Sequence, residues 1–227
     1  WQEGEPFMQE GGRGRYFRAH YMIQTSRGCP YGCAYCSNSI FREVYRGHGS
    51  YVRQRSVPNI MQQLAEAGAE AMFVADSWAS CDIISPGLFE RFAWPYQRLT
   101  TEAVHAAGMR MILWNLGDIA PILRLEAALD LEGFAFEQPR KTFTISVAQV
   151  REAFGPQRCL FGNVDSEDLL LRNDAREIAS QVEEQIRQSG KGAPFILCTG
   201  SPIPSDVEPE AVDAMIQAAR PRCVQSW

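Results

Sequence analysis

Three cysteines open the chemistry of this chain. They lie in Arg27-Gly-Cys29-Pro-Tyr-Gly-Cys33-Ala-Tyr-Cys36, spaced C-x3-C-x2-C. Thiolates are soft ligands that suit iron–sulfur clusters and zinc. Three of them on one short loop can take three corners of a cubane and leave the fourth iron without a protein ligand. A structural zinc needs a fourth ligand. His20 and His48 are the nearby candidates, and no second C-x2-C exists. Three buried structural cysteines are the plainer alternative, but such close spacing is unusual for them. With seven cysteines, an odd number, the clustering argues for metal binding in a reducing compartment over a disulfide framework.

A second set of candidates sits where apolar runs end in polar residues. Asp76 closes Ala71–Ala75, and Asn163 and Asp165 follow Cys159–Gly162. At the mouth of a β/α barrel such residues face the ligand. The competing reading is that Asp165 or Ser166 caps the next helix. Asp118 has the same two readings. Trp78 and Trp94 could stack on a flat ligand or belong to the core. His105 falls on an outer helix and is not expected to act on a substrate.

The elements that position these residues follow from periodicity. Apolar runs at 21–25, 71–75, 109–114, 133–136, 159–162 and 195–198 read as buried strands. Helical patterns span about 86–107, 119–130, 146–154, 174–189 and 208–219, with another opening at Pro58. Gly68, Gly108, Gly155 and Gly190 stand where helices should stop. Short strands alternating with helices predict an α/β fold with a parallel sheet. Counting the strand at 21–25, about six β/α units are expected, making a partial TIM-like barrel.

Composition narrows the class. The chain has 227 residues, 45% hydrophobic and 22% charged, with net charge −5. That is ordinary for a globular protein. No basic face predicts nucleic acid as a partner; residues 11–18 are locally basic but read as a solvated loop. No apolar run approaches the roughly 20 residues that span a bilayer, and no signal peptide is visible. A cytoplasmic location is expected. The start at Trp1 suggests a fragment of a longer protein.

The cysteine segment resembles the radical SAM superfamily. The triad follows the first strand, and Tyr35 precedes its last cysteine. The wording Ile23-Gln-Thr-Ser-Arg-Gly-Cys29, then Cys36-Ser-Asn38 and Val52-Arg53, is most similar to the cobalamin-binding subgroup. The resemblance covers about residues 16–76. It implies a [4Fe–4S] cluster on Cys29, Cys33 and Cys36, with Tyr35, Asn38 and Arg53 around S-adenosylmethionine. It also implies reductive cleavage to a 5′-deoxyadenosyl radical, a reductant or electron-donor protein, and possible use of cobalamin.

From about Ala69 to Arg222 the chain resembles the second half of the uroporphyrinogen decarboxylase family, which includes corrinoid methyltransferases. Val74-Ala-Asp76-Ser-Trp78, Ile84-Ser-Pro86, Phe92-Ala-Trp-Pro95-Tyr96, Gly162-Asn163-Val-Asp165 and Gly200-Ser-Pro-Ile-Pro204 carry it. This resemblance implies a barrel portion with its site at the strand ends, involving Asp76, Asn163 and Asp165. The zinc-dependent members' His-x-Cys pair falls at Trp114-Asn115-Leu116, and their later cysteine near Ser201. Together these readings divide the chain at 1–70 and 71–222. They predict an iron–sulfur enzyme whose barrel portion holds a small-molecule substrate: a tetrapyrrole, corrinoid or methyl donor. The alternatives are a family methyltransferase or decarboxylase-like protein with a structural cluster, working with a corrinoid protein, or a hybrid chain without full activity.

Overall fold

The computed structural model describes residues 23, 25–29, 31–34, 36–76 and 78–223, with side chains described through residue 220. It comprises two compact units, residues 1–70 and 71–227.

In the first unit, β1 (Ser26–Arg27) pairs antiparallel with β2 (Arg53–Gln54), Ser26 opposite Gln54 and Arg27 opposite Arg53. The cysteine loop and α1 (Asn38–Val44) lie between them in sequence, and α2 (Val57–Glu66) follows. The strand expected at 21–25 falls mostly outside what the structure describes. Tyr21, Met22 and Gln24 lie outside the described residues. The observed strand starts at Ser26, and its partner runs the opposite way, so it is not a unit of a parallel sheet.

The second unit is built on a five-stranded parallel sheet in the order β3-β4-β5-β6-β7. Its strands are β3 (Ala71–Asp76), β4 (Arg110–Asn115), β5 (Gly133–Phe136), β6 (Cys159–Phe161) and β7 (Phe195–Ile196). The expected six units are five among the described residues. Helices α3 (Pro86–Phe92), α4 (Trp94–Ala106), α5 (Leu123–Ala127), α6 (Val147–Phe154), α7 (Leu169–Arg172), α8 (Ala175–Ser189) and α9 (Pro209–Cys223) fall between and after the strands. This is the expected α/β fold, a partial TIM-like barrel. The predicted helix over 86–107 is two helices, because Pro95 brings no N–H to the ladder and its ring crowds the preceding turn. Pro121 similarly reduces the pattern at 119–130 to a 3-10 turn (Ala120–Ile122) and the short α5.

The register decides which side chains share a face. Met72, Val74 and Asp76 lie beside Met111, Leu113 and Asn115, while Phe73 and Ala75 lie beside Ile112 and Trp114. Helices cover the first face: Gln97 of α4 reaches Asp76, and Glu126 of α5 reaches Asn115. On the second face the Phe73 ring meets Trp114 at 5.9 Å and Phe161 at 6.3 Å between centroids. β3 and β6 are separated by two strands, so rings that touch across them require the sheet to curl with this face concave. Phe73 is 52% exposed on that face, and Ile196 is 47% exposed.

The core lies between the sheet and the helices. β5 is wholly buried, and Phe134 stacks on Phe154 of α6 at 4.3 Å. A further cluster joins Val164, Leu169, Leu170, Ile178, Val182, Ala211 and Met215 beneath α7, α8 and α9. Ser146 and Gln149 form a capping box on α6, and Asp174 caps α8. Among the described residues no helix is long and apolar enough to cross a membrane.

Candidate active site at the carboxyl rim

Strand ends bring together a charged cluster that sequence reading missed. β5 ends at Phe136, and the chain continues Glu137-Gln138-Pro139-Arg140. Glu137 is 9% exposed. Its Oε2 accepts from Gly117 N–H at 2.7 Å, two residues past β4. Its Oε1 accepts from Arg140 Nε at 2.6 Å and from Ser201 Oγ at 3.3 Å, the latter beyond β7. Arg140 also donates to Glu167, after β6, and to Ser201 Oγ at 3.2 Å. The loops after four strands thus meet at the carboxyl ends of the sheet.

The electrostatics follow from these contacts. The Glu167 carboxylate holds the Arg140 guanidinium's pKa above its usual range; partial burial opposes this, and Glu137 reinforces it. Two carboxylates against one guanidinium leave the cluster net anionic. Charge-assisted bonds of this kind are the stronger class, and they fix Arg140 across the rim.

Gln138 and two glycines set the backbone around the cluster. Gln138 is almost fully buried. Its Nε2 donates to Asp165 Oδ1 at 3.2 Å, and its Oε1 accepts from the Ser166 N–H and hydroxyl. A Cβ on Gly200 would stand 2.1 Å from the Gln138 nitrogen, so the loop after β7 can pass only as glycine. Gly117 has φ +84, and a Cβ there would meet Ser80 and Asp82 at 2.4 Å. Its conformation turns the N–H toward Glu137.

The sequence-predicted residues are distributed around this cluster. Asp165 sits beside it, but its Oδ1 also accepts from the N–H groups of Glu167 and Asp168, as a capping residue does. Asn163 is 3% exposed, and its amide donates to the carbonyls of Glu137 and Ile145. It fastens the start of the rim loop. Asp76 lies on the helix-covered face, where it accepts from Gln97 Nε2 at 3.1 Å and lines a cleft of about 400 Å³ with Val74, Ile84 and Leu113. The structure therefore brings Asp165 to the rim and sets Asp76 apart from it. Trp78 is 70% exposed, whereas Trp94 donates its indole N–H to Leu125 O. His105 faces Asp130 and Glu132, which precede β5, at the opposite end of the sheet.

In the first unit, Arg42 donates to the carbonyls of Cys29 and Tyr31, both at 2.6 Å, folding the cysteine loop against α1. Asn38 Nδ2 lies 3.5 Å from Cys36 Sγ. Its backbone N–H and then its side chain hold the Cys36 thiol below its ordinary pKa. Arg53 is spent on the carbonyls of Ser50 and His48. Tyr35 lies outside the described residues. Among the described residues no group of three or more His, Cys, Asp or Glu is placed to hold a metal ion. Zinc activation does not fit at the rim, because Trp114, Leu116 and Ser201 offer neither thiolate nor imidazole. Cys198, the nearest thiol in sequence, donates to Gly162 O, and burial pushes it up to about 11.

A signal for the missed cluster was present. A wholly apolar strand, Gly133–Phe136, ends in a carboxylate at the rim. Its partners were not legible, because Gly117, Glu167 and Ser201 are 20, 30 and 64 residues from Glu137, as the numbering shows.

A curled parallel β/α sheet with a polar cluster at its carboxyl rim defines a protein of the β/α-barrel type, with its candidate site where such barrels act. The uroporphyrinogen decarboxylase (URO-D) family model matches residues 54–221, most of the chain, and the chain belongs to that family. The match begins after the cysteine loop. The chain is 27% identical over 164 residues to a uroporphyrinogen decarboxylase of Myxococcus xanthus, covering 71% of this chain and 43% of that one. It is 31% identical over 148 residues to the Syntrophotalea carbinolica enzyme of the same name, covering 64% and 40%. Among solved structures, a methyltransferase from Methanosarcina mazei superposes with TM-score 0.60 at 26% identity, covering 73% of this chain and 46% of that one. The chain spans less than half the length of these relatives.

Proposed function

We propose that this chain is a methyltransferase-like member of the URO-D family whose barrel portion binds a cationic methyl donor, with a corrinoid protein as the methyl acceptor. The observation that carries this reading is a net anionic rim cluster beside a concave aromatic face. Glu137 and Glu167 share the single guanidinium of Arg140, while Phe73, Trp114 and Phe161 line the curl of the sheet. An anionic rim attracts a quaternary ammonium and repels a polycarboxylate tetrapyrrole. Aromatic faces bind quaternary ammonium groups by cation–π attraction. In such a donor the methyl group is already activated by the positive nitrogen. It passes to the acceptor nucleophile while the tertiary amine leaves with the C–N electron pair, so no proton transfer and no zinc-bound thiolate are required. Gly117 N–H and Ser201 hold Glu137 in place for that role.

Calorimetric titration with choline, glycine betaine and uroporphyrin tests the reading. A quaternary ammonium should bind, and Trp114→Ala should weaken it about tenfold, a loss of ~1.4 kcal/mol. Binding of uroporphyrin with no binding of either ammonium would overturn the proposal in favour of a decarboxylase-like role.

A further inference from the structure

Behind the sheet, on the face away from the aromatic rings, lies a buried polar pair that the rim chemistry does not use. Glu126 of α5 and Asn115 at the end of β4 are both fully buried. Asn115 Nδ2 donates to Glu126 Oε1. Glu126 Oε2, Asn115 Oδ1 and the nearby Gln97 Oε1 are buried without partners. Gln97 cannot turn over to relieve this, because its Nε2 is held by the Asp76 carboxylate. Three buried acceptor oxygens without partners are costly, and what they lack is a donor.

We propose that Glu126 is a neutral carboxylic acid in the folded protein, its proton on Oε2 donated to Asn115 Oδ1 so that acid and amide close a two-bond ring locking α5 to the end of β4. One proton then converts an orphaned acceptor into a donor and satisfies a second orphan. If the Asn115 amide were turned over, its oxygen would face Glu126 Oε1, and a proton between them would again be required. The surroundings agree in sign. Burial raises the carboxyl to about 8 from its ordinary 4.5, Asn115 opposes this, and the negative charge of Asp76 on β3 adds to it. On the loop after β3, Cys81 is pushed up to about 11 by burial and by Asp118, Glu126 and Asp82, so it stays a neutral thiol and brings no charge of its own.

The pH consequence follows by linkage. The folded state keeps the Glu126 proton through a range in which the unfolded chain releases it. Its contribution to stability is full below pH 4.5, declines as pH rises toward 8 and is absent above that. Asn115 is the last residue of β4, two residues before the N–H that Glu137 accepts. The lock therefore also fixes one wall of the rim, whatever the rim binds.

Infrared difference spectroscopy against Glu126→Gln is the test. The wild-type protein at pH 7 should show the C=O band of a protonated, hydrogen-bonded carboxyl that the variant lacks, and the band should fade as pH is taken above 8. In parallel, wild-type thermal stability should fall relative to the isosteric Glu126→Gln variant between pH 5 and pH 8.5. Absence of the band at pH 7 would overturn the proposal. So would stabilisation of the wild type, and not the variant, by added monovalent or divalent cations, which would make Glu126 a charged ligand. Should Glu126→Gln fail to fold, the pH dependence of the wild-type band alone decides.

Discussion

Arg140 is the residue on which the rim depends most directly. It touches Glu137, Glu167 and Ser201, and so ties the loops after β5, β6 and β7 to one guanidinium. Removing it leaves two carboxylates facing each other, one of them 9% exposed and short of a donor. A group so stranded costs about 1–3 kcal/mol. Arg140→Met, which keeps the length of the side chain, is expected to lower unfolding stability in urea by that amount. Arg140→Lys should recover only part, since an ammonium cannot make the forked contacts. An unchanged urea midpoint in Arg140→Met would mean that the rim carboxylates are already satisfied by water.

At the scale of elements, the fold was legible wherever local pattern and tertiary structure agree. The apolar runs at 71–75, 109–114, 133–136 and 159–162 became β3, β4, β5 and β6 within a residue or two, because helices cover one face of the sheet and apolar or aromatic side chains line the other, so both alternating sets are apolar. The breaks at Pro95 and Pro121 were visible as prolines but hidden inside long helical periodicity, and backbone hydrogen bonding decided them. At the site, the polar strand ends marked the rim, and Asp165 lies there. The direction of each side chain was not legible. Asp76 faces the helices because of its register beside Asn115, and Asn163 is spent on carbonyls 18 and 26 residues away in sequence. The same long-range packing makes the loop after β7 intolerant of change. At Gly200 an added Cβ meets backbone, not a flexible side-chain end. Gly200→Ala is therefore expected to cost on the order of 3 kcal/mol, read as a lowered thermal midpoint. Ser146→Ala, which removes only the α6 cap, should cost about 1 kcal/mol.

For the whole molecule, the question is what the first unit contributes. The cysteine loop lies within residues 1–70, whereas the aromatic face and the anionic rim lie within residues 71–227. The family match begins at residue 54, after the cysteine loop. If ligand capture depends on Trp114, Phe161, Glu137 and Arg140, it should be indifferent to Cys29, Cys33 and Cys36. The triple variant Cys29→Ala, Cys33→Ala, Cys36→Ala is thus expected to bind a quaternary ammonium with a dissociation constant within about twofold of wild type, a change under ~0.5 kcal/mol. Titration calorimetry on the full chain reads this directly, and circular dichroism confirms that the second unit's helices are retained. A tenfold or greater loss with the fold intact would make the cysteine loop part of the binding site. The boundary at Glu70–Ala71 would then mark a division of structure across which the function is shared.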